Sequence, residues 1–164
     1  MNDMSTPVVA IQELTGDQTS FTMDDAHIFR SELIDKLAEI ETWMNRKFAK
    51  FDSDIMGKRP LGQKLALVRK LAEQAESKLK HPAKVLKLLD RLQPFADLRA
   101  ELAHSTLTML TTKERGTIFR YDNANDAGHP TVKKSGQLTS GQMKHYLKRT
   151  EQICDQLKSL ENKK

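Results

Sequence analysis

Arg99 and His104 are of the residue types that phosphoryl chemistry needs, and they stand close together in Leu98-Arg99-Ala100-Glu101-Leu102-Ala103-His104-Ser105. A guanidinium is a rigid fork of donors that grips phosphate oxygens, and an imidazole exchanges a proton near neutral pH. Together they suffice for transesterification of RNA. There the ribose 2′-hydroxyl attacks the adjacent phosphorus, so neither a metal nor a protein nucleophile is required. Spacing sets a condition. At ~100° per residue, this separation leaves the two side chains roughly 140° apart on an ideal helix. They converge only if the helix ends at His104, or if a second copy of the helix supplies the matching group. The ordinary alternative stays open: Arg99 pairs with Asp97 or Glu101, and His104 closes the helix C-terminus.

Other segments carry less. Asp122-Asn123-Ala124-Asn125-Asp126-Ala127-Gly128 has the look of a calcium loop, but its third position is Ala124, its glycine falls one residue late and its twelfth position is Lys133. Gly57-Lys58-Arg59-Pro60-Leu61-Gly62-Gln63-Lys64 has two glycines and a lysine. The lysine does not directly follow the second glycine and no Ser or Thr comes after it, so this is not a phosphate-binding loop. The histidines, His27, His81, His104, His129 and His145, show no metal-ligand spacing. Cys154 is the single cysteine, which excludes an internal disulfide and a cysteine-based zinc site. No cofactor and no metal are expected.

The elements that position Arg99 and His104 follow from periodicity. Residues 1–21 read as a flexible N-terminal arm with one short apolar run, Val8-Val9-Ala10-Ile11, and 22–164 read as a single helical domain. Thr22 before Asp24 and Asp25 predicts a helix start. Phe29, Leu33, Leu37, Ile40, Met44, Phe48 and Phe51 then recur at helical spacing, so the first helix is expected to end near Asp52. Residues 54–60 read as a loop. A second helix carries Leu61, Leu65, Val68, Ala72, Ala75 and Leu79 on one face and is broken by His81-Pro82. A third runs from Ala83 to about His104, with a kink or break expected near Gln93 because Pro94 lacks an N–H. Thr106–Thr111 and Thr117–Tyr121 predict a short hairpin, and 122–137 read as irregular. Thr139 with Gln142 forms a capping-box pattern ahead of a final helix whose apolar face is Met143, Tyr146, Leu147, Ile153, Leu157 and Leu160.

Composition bounds the setting. The 164 residues are 38% hydrophobic and 30% charged, and no apolar run approaches the length that spans a bilayer. The N-terminus lacks the basic and apolar regions of a secretory signal, so the expected compartment is the cytoplasm, with no membrane partner. The net charge of +5 is uneven: from residue 105 onward there are 11 Lys and Arg against 6 Asp and Glu. A basic part suits a polyanionic partner, or is simply a solvated surface with a lysine excess.

Leu98–Ser105 resembles the motif of the HEPN superfamily (higher eukaryotes and prokaryotes nucleotide-binding) in its common bacterial form, Leu-Arg-Asn-x-Leu/Ile-Ala-His-Gly. The wider layout is similar too, over roughly residues 23–160: two long helices, the motif at the end of the third, a short β-rich insert, and a last helix. The resemblance implies an all-α fold, a four-helix-bundle-like domain with a small β-hairpin insert before the last helix. It implies a homodimer whose motif helices pack together, with Arg99 and His104 of both copies in one cleft. It further implies a metal-independent endoribonuclease of the toxin–antitoxin, phage-defence or stress-response kind, with RNA as substrate and an antitoxin or other regulatory protein as partner. Arg99 would orient the phosphate and stabilise the pentacoordinate transition state, and His104 would act as general base or acid. The position after the Arg, usually polar in active members, is Ala100 here, and Glu101 adds negative charge inside the motif. These departures point to the alternative, a non-catalytic HEPN-like nucleotide- or protein-interaction module. An unrelated helical DNA- or partner-binding bundle would instead turn Arg99 and His104 to separate surfaces.

Overall fold

Thr22 opens the first helix reciprocally with Asp25. The Asp25 N–H donates to the Thr22 hydroxyl at 3.3 Å and the Thr22 N–H donates to the Asp25 carboxylate at 2.7 Å. The computed structural model describes residues 21–51, 59–114, 116–123 and 135–162. The expectations for the arm over 1–20, for the loop over 54–58 and for the irregular stretch over 124–134 lie outside the described residues, as does most of the calcium-like segment.

Helix α1, Met23–Phe48, buries Ala26, Phe29, Leu33, Leu37, Ile40, Met44 and Phe48 as one stripe. It ends before Asp52 because the Phe51 N–H turns onto the Phe48 carbonyl at 2.9 Å, which keeps the Phe51 ring against Phe48. Helix α2, Leu61–Glu73, is shorter than its apolar spacing predicts. Gln74 is extended, and the Ser77 hydroxyl donates to the Leu71 carbonyl at 2.9 Å while accepting from the Leu79 N–H. That side chain closes the helix, leaving Ala75 exposed, while Leu79 reaches the core from beyond the helix. Helix α3, Pro82–Ala103, begins at Pro82, where a missing N–H is harmless. It runs unbroken through Pro94; Asp90, whose carbonyl loses its N–H partner, and Pro94 are both exposed.

The sheet departs most from expectation. Strands β1, Ser105–Thr112, and β2, Gly116–Asn123, form the hairpin, with Thr112 opposite Gly116 and Gly116 at φ 65. A third strand, β3, Ser135–Thr139, pairs antiparallel with β2, giving the order β1-β2-β3. Helix α4, Ser140–Asn162, follows at once, through a capping box in which Thr139 N–H donates to Gln142 Oε1 and Gln142 N–H to Thr139 Oγ1.

The all-α, four-helix-bundle-like expectation with a hairpin insert is therefore corrected. Of the described residues 68% are helical and 17% lie in strands, so the fold is mixed α/β. The physical reason is that the sheet is part of the core and not an appendage: Phe119, Tyr121 and Leu138 are buried with the helical apolar residues, and Phe21 packs edge-on against Phe119. Among the described residues no helix is long and apolar enough to cross a membrane.

Contacts along the helices fix their directions. Lys36 reaches Glu151 and Lys158 reaches Glu39, so α1 and α4 run parallel. Arg91 meets Gln156 while Phe95 meets Tyr146, so α3 runs antiparallel to α4. The starts of α1 and α4, the end of α3 and the sheet consequently lie together at one end of the molecule.

Candidate functional site

At that end the α3–β1 junction holds His104. Helix α3 stops at Ala103, His104 takes the C-cap position at φ −115 and ψ 10, and β1 begins at Ser105. The Ser105 hydroxyl donates to the Glu101 carbonyl, one of the helix-terminal acceptors without an intrahelical N–H. The Ser105 carbonyl accepts from Arg30 Nη1 at 3.0 Å, and Arg30 Nη2 donates to His27 Nδ1 at 3.2 Å. The backbone on the strand side of His104 is thus tied both to its own helix and to α1, while its imidazole remains exposed.

Arg99 lies half-buried one turn earlier. Its Nε is buried without a hydrogen-bond partner, and among the described residues its guanidinium has no carboxylate. The two acids proposed as its partners are engaged elsewhere. Asp97 accepts from Gln93 Nε2 at 2.8 Å, and Glu101 accepts from the Tyr121 hydroxyl at 2.7 Å. Ala100 and Ala103 are exposed between Arg99 and His104. Within the single chain no hydrogen bond joins Arg99 to His104 among the described residues.

Sequence reasoning missed His27, Arg30, Tyr121 and Gly136. Tyr121 lies opposite Gly136 in the β2–β3 register, and a Cβ on Gly136 would collide with the Tyr121 ring and hydroxyl. The glycine lets the phenol cross the sheet to Glu101. Burial, and after it the hydrogen bond to Glu101 and that carboxylate's charge, pushes the Tyr121 phenol above its ordinary value. Gly136 falls in the stretch read as irregular, so its place in a strand left no signal, and Arg30 left none beyond its charge.

The remaining candidates are accounted for structurally. Gly62 and Lys64 lie inside α2, and Lys64 is buried against Glu41 at 2.7 Å. No group of three potential metal ligands occurs among the described residues. Cys154 is buried and its thiol is pushed up to about 12, chiefly by desolvation. His81 caps α3 without a side-chain hydrogen bond, and His145 is exposed beside Tyr146. Comparison of the chain with family models, with curated proteins and with solved structures finds no match.

Proposed function

We propose that this protein is a HEPN-like, metal-independent endoribonuclease that acts as a homodimer, with Arg99 and His104 as its catalytic residues. The observation that carries the reading is the uncommitted guanidinium of Arg99. Asp97 and Glu101, the acids nearest in sequence, bond to Gln93 and Tyr121 instead, so among the described residues no carboxylate neutralises the half-buried Arg99. His104 is exposed at the helix end, where a bound RNA can reach its imidazole. The exposed Ala100 and Ala103 present little bulk, so another chain can approach His104 closely.

In the proposed reaction neutral His104 accepts the proton of a ribose 2′-hydroxyl as its oxygen bonds to the adjacent phosphorus. The P–O5′ bond breaks, an imidazolium protonates the departing oxygen, and the products are a 2′,3′-cyclic phosphate and a 5′-hydroxyl. Arg99 holds the non-bridging oxygens as charge builds on them. Toxin, defence and stress roles, and an antitoxin-like regulatory partner, belong to this same reading. Ala100 favours the second reading, a non-catalytic nucleotide- or protein-interaction module, because it offers no hydrogen bond beside the phosphate.

Cleavage of a structured RNA in EDTA separates the two. The endoribonuclease reading expects cleavage by the wild type and a loss of roughly a hundred-fold or more in His104→Ala. Equal cleavage by the variant overturns the assignment of this site, and a folded dimer with no cleavage at all supports the module.

A further inference from the structure

The first half of α4 carries a cationic face that the described residues leave largely without acidic partners. Between Asp126 and Glu151 the sequence has no carboxylate. Within α4 that acid-free stretch holds Lys144, His145, Lys148 and Arg149, all exposed. At ~100° per residue these positions share one face roughly 140° wide. The two halves of the helix differ sharply. Beyond residue 150 two of its charges pair with α1, Glu151 with Lys36 at 3.5 Å and Lys158 with Glu39 at 3.4 Å. In the first half Lys144 lies over the Phe21 ring at 5.5 Å and near Asp25, while Lys148 and Arg149 have no acidic partner among the described residues. Like charges left unpaired a turn apart repel one another, a modest cost that a bound polyanion reverses. The helix N-terminus at the same end adds positive potential.

Position gives the face its meaning. Tyr146, on the same turns of α4, packs against Phe95 of α3 with ring centroids 5.6 Å apart, and α3 ends at the Arg99–His104 segment. The cationic face and the candidate cleavage site therefore lie at the same end of the molecule.

We infer that Lys148 and Arg149, flanked by Lys144 and His145, form the surface that docks the phosphate backbone of RNA and guides it toward Arg99 and His104. The identity of the polyanion rests on the endoribonuclease reading; the existence of the docking face does not. Contacts of this kind read phosphates and not bases, so affinity depends steeply on salt and little on sequence.

The test is fluorescence anisotropy of a labelled single-stranded RNA with the full-length His104→Ala protein, so that binding is read without cleavage. Reversing charge in Lys148→Glu/Arg149→Glu should weaken binding about ten-fold or more and lower the slope of log K against log salt by roughly 1.4. The control pair Lys84→Glu/Lys87→Glu, exposed near the opposite end of α3, changes net charge equally and should have at most about a two-fold effect. The neutral pair Lys148→Gln/Arg149→Gln guards against misfolding and should fall in between. Equal losses in the two reversed pairs, or none in either, overturn the proposal. So does binding of polyglutamate in preference to RNA, which would make the face a site for an acidic protein. Salt-dependent binding through this pair by a protein that never cleaves RNA would retain the docking face while ending the endoribonuclease reading.

Discussion

The Tyr121 hydroxyl crosses from the middle of the sheet to the Glu101 carboxylate of α3, donating a hydrogen bond at 2.7 Å. Glu101 is the motif residue whose charge would most oppose a bound phosphate, and this contact turns that charge toward the sheet. Tyr121→Phe keeps the ring and removes the donor, so it should lower unfolding stability by about 1–2 kcal/mol in urea titrations. The same bond sets a pH dependence. Because the folded phenol titrates above its ordinary 10.0, the stabilisation it contributes is complete below that pH and declines as pH rises beyond it. The stability gap between wild type and Tyr121→Phe should therefore hold steady up to about pH 10 and narrow as pH rises further. A constant gap would contradict the assigned contact.

Gly136 is required by that path and not by backbone strain. Its Cβ position is filled by the Tyr121 ring as well as by the hydroxyl. Gly136→Ala should destabilise by about 1–3 kcal/mol. Tyr121→Phe in the same chain should not restore stability, because the ring stays. Gly136→Ala with Tyr121→Ala should cost clearly less than the sum of the single changes, measured as a double-mutant cycle.

How much of this was legible follows from where each residue's signal lies. The α1 stripe from Phe29 to Phe48, the helix start at Thr22 and the Thr139–Gln142 capping box were readable, because local spacing and local hydrogen bonding decide them. The end of α2 was not: Ala75 and Leu79 keep the period, and only the Ser77 hydroxyl on the Leu71 carbonyl stops the helix. β3 was missed because Ser135-Gly136-Gln137-Leu138-Thr139 has one apolar side chain to bury, and its pairing comes from β2. At the candidate site Arg99 and His104 were visible as residue types. The engagement of Glu101 by Tyr121 and of Ser105 by Arg30 joins residues far apart in sequence, which no local pattern encodes.

Lys64 supplies a stability prediction away from the site. Its side chain is 2% exposed and bonded to Glu41, itself 25% exposed. Glu41→Ala strands a buried ammonium and should cost about 2–4 kcal/mol, discounted from a fully buried pair because water reaches the acid. Lys64→Met, which removes the charge and keeps the length, should be within about 1 kcal/mol of wild type. Thermal or urea unfolding of both variants reads the difference, and the reverse ranking would contradict the buried-pair description.

Cys154 should be silent in the native state. It is buried and its thiol is held up to about 12, so almost no thiolate exists at neutral pH. A thiol-exchange reagent such as DTNB should react with it only after denaturant is added. Stoichiometric reaction in native buffer would show that α4 opens readily at this position.

The central claim is that Arg99 and His104 form one RNA-cleaving cleft shared by two copies of the chain. Its most direct measurement mixes separately inactive Arg99→Ala and His104→Ala proteins, exchanges their subunits, and follows RNA cleavage in EDTA. A mixed dimer carries one intact Arg99 and one intact His104 on different chains. The mixture should regain cleavage well above either parent, about a quarter of the wild-type rate if half of the dimers are mixed and each holds one of the two working pairs. A mixture as inactive as its parents, although subunit exchange is complete, would contradict it.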